Sequence, residues 1–225
     1  MRALVIANGH ITKGHQAALS VGPDDLVIAA DGGARVARKL GLWPHLVVGD
    51  MDSLPANLRR ELDERGCQFI GHPTHKDETD SELAIREALR AGASEIVLVG
   101  MIGNRLDHTL ANVFLLAMPE LAGVSARIWD HRTQVWLVRG SRSLIIEGRP
   151  GDIITLLPLG GDASGIETQG LEYALHGDTL RVGLARGVSN VLTEPRAVVS
   201  LTSGLLLVVH VTPRVRRSQE GNTPR

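Results

Sequence analysis

Up to about position 130, short runs of Val, Ile, Leu and Ala alternate with longer stretches of helical periodicity. That alternation predicts strand–helix–strand units and hence a parallel sheet. The predicted strands are residues 3–7, 26–30, 46–48, 68–70, 96–99 and 126–129. The clearest helix spans 80–91, with Thr79 or Asp80 as N-cap, acidic residues in its first turn and Gly92 as its stop. Beyond 130 the helical period disappears. Apolar runs at 135–138, 143–146, 153–157, 171–175, 197–201 and 205–211 are punctuated by Gly, Pro, Asp and Asn, which predicts a second, all-β domain of sandwich type. The expected organisation is an α/β parallel-sheet domain over 1–130, a β-sandwich over 131–212, and a disordered polar, basic tail over 213–225.

Composition narrows the function. With 24 Lys and Arg against 25 Asp and Glu, no global field favours nucleic acid or an anionic membrane, so neither is expected as a partner. No apolar run approaches membrane-spanning length, and residues 1–9 are too short an apolar stretch for a signal peptide. A single cysteine, Cys67, rules out an internal disulfide framework and suits a reducing cytoplasm. Cys67, His72 and His75 lack a fourth ligand for zinc and read as strand and loop residues.

The informative pattern is where the aspartates fall. Asp31 in Asp31-Gly32-Gly33, Asp50 and Asp52 in Gly49-Asp50-Met51-Asp52-Ser53, Asp77 and Asp80 after the fourth strand, and Asp107 in Arg105-Leu106-Asp107-His108 all follow predicted strands. One aspartate after a strand is commonly a cap or turn residue. Four clusters on one edge predict a shared site, because ligands of open parallel sheets bind beyond the carboxyl ends of the strands. Crowded carboxylates repel unless a cation neutralises them, and an all-oxygen set selects a hard ion such as Mg²⁺. Asp50 and Asp52, two apart in a segment read as extended, are expected to point the same way. Lys76 and Arg105 supply charge for phosphate on the same rim. Gly9 to Gly14 does not continue as a Walker A motif, so nucleotide binding uses another device.

These motifs, in this order, resemble the thiamine pyrophosphokinase family, and the resemblance extends through Thr168-Gln169-Gly170-Leu171-Glu172-Tyr173 and Gly187-Val188-Ser189-Asn190. It implies an N-terminal α/β domain that binds ATP and Mg²⁺, a C-terminal β-sandwich, and a homodimer whose interface holds thiamine. It implies Asp50, Asp52 and Asp80 as metal-associated residues, and Asp31, Gly32, Lys76, Thr79 and Arg105 at the ATP, with Asp107 completing the acidic rim. Ser189 and Asn190 resemble the pair that recognises the aminopyrimidine. The tryptophan that some members place beyond Ser-Asn is absent here, leaving Trp129 and Trp136 as candidates for stacking or for packing. A metal-dependent phosphohydrolase and a nucleotide-sensing module are the competing readings of the same residues.

Overall fold

The computed structural model describes residues 1–213; of the tail expected to be disordered, residues 214–225 lie outside the described residues. Six parallel strands build the first half: β1 (Arg2–Ile6), β2 (Leu26–Ala30), β3 (Leu46–Gly49), β4 (Gln68–Gly71), β5 (Glu95–Val99) and β6 (Ser125–Asp130). Between them run α1 (Lys13–Ala18), α2 (Gly33–Lys39), α3 (Ala56–Glu64) and α4 (Asp80–Arg90), with α5 (Leu106–Phe114) between β5 and β6. The strands are apolar on both faces because helices cover both. Ala3 and Val5 face the side where Leu83, Ala84, Ile85 and Ala88 of α4 pack. Leu4 and Ile6 face Val36 and Ala37 of α2. Leu58 and Leu62 of α3 pack on Ala29 and Val47. Helix α4 begins as its sequence predicts: the Thr79 hydroxyl accepts the Glu82 N–H at 3.2 Å.

The second half is β throughout: β7 (Thr133–Arg139), β8 (Ser143–Glu147), β9 (Ile153–Pro158), β10 (Ala163–Gln169), β11 (His176–Leu180), β12 (Asn190–Val191), β13 (Arg196–Ser200) and β14 (Leu205–Val211). β7 pairs antiparallel with β6, so β7, β14, β9 and β12 extend the parallel sheet to ten strands, in the order β12-β9-β14-β7-β6-β5-β1-β2-β3-β4. The second sheet, β11-β10-β13-β8, packs on that extension. Alternation along β14 joins the two halves. Leu206 and Val208 enter the sandwich core with Ile146, Ile166, Ala197 and Val199, while Leu207 and Val209 turn to the core of the first half.

One predicted strand is absent. Residues 171–175 form a loop whose only ladder contact is the Leu171–Leu192 bridge. Leu171 and Leu175 are buried all the same, so the apolar run marks loop anchors and not a strand. The strands that flank it, β10 and β11, are polar and small in sequence because one face of this outer sheet meets water.

Candidate active site

At the carboxyl rim of the parallel strands the sheet order changes direction: the connection after β1 leads to β2 on one side, and β5 lies on the other. A cleft of about 930 Å³ opens there. Its floor is backbone. Gly9 and His10 donate N–H bonds of 2.8 Å to the carbonyls of Gly100 and Ile102. A Cβ on Gly9 would stand 2.1 Å from the Gly100 oxygen, so no larger residue permits this approach. Its walls carry Asp31, Gly32, Asp50, Lys76, Thr79, Asp80, Arg105, Asp107 and His108.

Asp31, Asp50 and Asp52 each offer a carboxylate oxygen within 4.8 Å of the others, and among the described residues this is the one such acidic or histidine-containing group. The convergence of Asp50 and Asp52 does not arise from an extended segment. Met51 adopts φ +64°, and the Asp52 N–H donates to Asp50 Oδ1 at 3.2 Å, so a local turn brings the two carboxylates round. Asp31 is itself left-handed at φ +42°, and its Oδ1 is buried without a hydrogen-bond partner. An ionised oxygen in that state lacks a cation or donor. The donor set fits a hard divalent ion.

Asp80 stands at the margin of this group and not within it. The Lys76 ammonium, largely buried, donates to Asp80 Oδ1 at 2.6 Å. Gly49 lies between the carboxylates: a Cβ there would come within 2.8 Å of Asp31 Cβ and 3.2 Å of Asp80 Cγ. Asp50 is held below the usual carboxylate range, first by the Asp52 backbone N–H, then by side-chain hydrogen bonds and the nearby Lys76 charge. On the opposite wall Arg105 grips Asp107 through two bonds of 3.2 and 2.5 Å, both side chains exposed. The guanidinium draws the Asp107 carboxyl down to about 2. In this state both cations of the cleft have carboxylate partners that a phosphate can replace.

Ser189 and Asn190 lie elsewhere. Asn190 opens β12, the far edge of the long sheet, and seven strand steps separate β12 from β2. At about 4.8 Å a step this is roughly 34 Å. Ser189, left-handed at φ +60°, donates its N–H to Thr155 Oγ1 at 3.1 Å. The Asn190 amide is engaged by backbone: its Oδ1 accepts from Tyr173 and Val191, and its Nδ2 donates to the Tyr173 carbonyl at 2.7 Å. It clamps the loop that presents Tyr173, 64% exposed, beside a hollow of about 300 Å³ lined also by Leu156, Arg186 and Val188. Neither Trp129 nor Trp136 lines that hollow; Trp129 packs edge-on against His15 with ring centroids 5.5 Å apart. Tyr173, at the end of Gly170-Leu171-Glu172-Tyr173, is an aromatic at this hollow that the residue pattern alone does not single out.

A parallel sheet with clustered carboxylates, a lysine and an arginine at its switch point, joined to a β-sandwich, defines a phosphate-handling α/β protein. Residues 20–128 match the family model "Thiamin pyrophosphokinase, catalytic domain", and residues 143–206 match "Thiamin pyrophosphokinase, vitamin B1 binding domain". The chain belongs to the thiamine pyrophosphokinase family. It is 26% identical over 187 residues to thiamine pyrophosphokinase of Bacillus subtilis, covering 83% of this chain and 87% of that one. The crystal structure of thiamine pyrophosphokinase from Bacillus subtilis superimposes with a TM-score of 0.83 at 24% identity, covering 94% of this chain and 99% of the other. That of a thiamin pyrophosphokinase family protein from Enterococcus faecalis gives 0.79 at 26%, covering 95% and 100%. No described helix is long and apolar enough to cross a membrane.

Proposed function

We propose that the protein is a thiamine diphosphokinase, transferring the diphosphate of ATP to the hydroxyethyl oxygen of thiamine and releasing AMP. The observation that carries this reading is the gathering of carboxylates, Lys76 and Arg105 on one cleft at the switch point, in a chain of this family. Residues 1–130 form the ATP half and 131–212 the thiamine half in this proposal.

Asp31, Asp50 and Asp52 would hold Mg²⁺, with Asp80 at its border. The ion would neutralise the β- and γ-phosphate charge and the charge that passes to the leaving AMP. Lys76 and Arg105 exchange Asp80 and Asp107 for phosphate oxygens; Arg105 grips in paired fashion and Lys76 acts as a point charge. Gly32 and Thr79 border the same space. Once phosphate takes Lys76 and Arg105, Asp80 and Asp107 are released, and with Asp52 they are the carboxylates that could take the hydroxyl proton.

At the acceptor end the proposal includes a second chain. The hollow beside Ser189, Asn190 and Tyr173 lies five to seven strand steps from β5, β1 and β2, which border the phosphate cleft, roughly 24–34 Å along the sheet, a separation that supports pairing it with the cleft of a second chain. Two apolar surfaces support a homodimer that closes this gap. Helix α5 buries none of its residues fully and shows Leu106, Leu110 and Phe114 in one exposed stripe beside the cleft. Val182, Leu184 and Val188 are exposed beside the hollow. We place the enzyme in the cytoplasm, as its lone, buried cysteine suits a reducing compartment.

Incubation with ATP and Mg²⁺, with and without thiamine, tests the reading. AMP that appears only with thiamine supports it. Phosphate release without thiamine indicates a hydrolase, binding without product indicates a sensor, and ADP as product sinks the diphosphate transfer.

A further inference from the structure

Helix α1 has six residues, too few to hold its own conformation, yet the loop before it forms a wall of the cleft through Asn8, Gly9 and His10. What fastens it is a buried histidine. His15, 3% exposed, occupies the position where a capping box usually carries Glu or Gln. Its Nδ1 accepts the Thr12 backbone N–H at 3.0 Å and lies 3.0 Å from the Thr12 hydroxyl. Since Nδ1 is an acceptor, the ring proton sits on Nε2, which meets the carboxylate of Asp130, the last residue of β6. Trp129 stands edge-on to the ring, and His131, left-handed at φ +49°, covers Gly14 so closely that a Cβ there would lie 2.4 Å from its Nε2. The packing leaves His15 one orientation, and Asp130 selects the tautomer that can cap.

We propose that His15 and Asp130 form a positioning device for the ATP site: the chain Asp130–His15–Thr12 sets the height of the residue 8–12 loop against the nucleotide. The proposal rests on the reading of the cleft as the ATP site. Neither residue lines the cleft, so they act through the loop and not on the reacting atoms. Asp130 also begins the β6–β7 hairpin, where the parallel strands give way to the antiparallel ones, so the loop is referenced to the joint between the two halves.

The test is calorimetric titration with ATP and Mg²⁺, without thiamine, alongside steady-state kinetics. His15→Leu removes both bonds and should weaken ATP binding about ten-fold. Its KM for thiamine and its kcat should stay within about two-fold of wild type. His15→Gln restores the cap acceptor and should recover most of the ATP affinity. Equal ATP affinity in wild type and His15→Leu overturns the proposal, as does a glutamine variant no better than leucine or a parallel rise in KM for both substrates. If His15→Leu does not fold, Asp130→Ala, which leaves the His15 ring in place and cuts its tie to β6, must show the same split or the proposal fails. A wild-type protein that binds no ATP overturns the reading of the cleft itself; one that binds ATP while the variants bind equally overturns only the positioning role.

Discussion

Gly49→Ala is the most demanding substitution at the carboxylate cluster, because it adds one methyl group and no charge. Gly49 sits at φ +150°, where an L side chain is strained, at a cost of about 1–3 kcal/mol. Its Cβ would lie 2.8 Å from Asp31 Cβ, whereas carbon atoms prefer about 3.5–4.0 Å, so Asp31 must retreat by something near 1 Å. Asp80, at 3.2 Å, is pressed as well. Taking about 2 kcal/mol for the combined strain, the melting temperature should fall by about 4–8 °C for a chain of this size. A displacement of that order at a reacting centre costs on the order of 100-fold in turnover. Gly71 is the control. It pairs with Gly49 across β3 and β4, and a Cβ there meets nothing within 4 Å. Thermal melts and AMP-release assays on both variants give the comparison. Gly71→Ala should match wild type in both; a Gly49→Ala protein with wild-type turnover would refute the idea that the spacing of Asp31, Asp50 and Asp80 matters.

Asp50→Asn and Asp52→Asn should each lower turnover at least about 100-fold while each protein still folds and melts cooperatively, since both side chains stand on the rim and not in the core; wild-type activity in both would remove the metal assignment. If the acceptor hollow of one chain serves the cleft of its partner, co-refolding equal amounts of an Asp50→Asn chain and a Tyr173→Ala chain gives heterodimers with one intact site. About a quarter of wild-type activity should return, and none should if each chain is self-sufficient. Away from the site, Asp25 accepts from the Arg2 guanidinium and from the Gly22 N–H, and the first of these does most to hold its carboxyl below the ordinary value. A depressed carboxylate stabilises the fold above its unfolded value near 4 and loses that contribution as the pH falls through the folded value. Urea unfolding should therefore show Asp25→Asn weaker than wild type by about 1 kcal/mol at pH 7, with the difference shrinking in acid below pH 4; a constant difference would contradict the linkage.

The six parallel strands are legible because each carries a short apolar run between helical stretches, and the rim follows from Asp31 and Asp50 directly after β2 and β3 and from Asp107 at the start of the helix that follows β5. β10 and β11 are not legible: Ala163–Gln169 and His176–Leu180 contain too few apolar residues to stand out beside the 171–175 run, which is a buried loop. The sequence resemblance groups Asp50, Asp52 and Asp80, whereas the carboxylates within 4.8 Å of one another are Asp31, Asp50 and Asp52. That Asp31 joins Asp50 and Asp52, with Asp80 turned to Lys76, depends on the left-handed residues Asp31 and Met51 and on the gap left by Gly49, which a residue pattern does not encode. Nor could spacing reveal that Asn190 spends its amide on the Tyr173 backbone, or that His15 meets a carboxylate 115 positions away.

The claim that the cleft moves a diphosphate to thiamine is tested most directly with ATP labelled at the β-phosphorus. Purified protein with Mg²⁺ and thiamine should carry the label into thiamine diphosphate, with one AMP formed for each. Label that ends in ADP or in free phosphate would contradict the account.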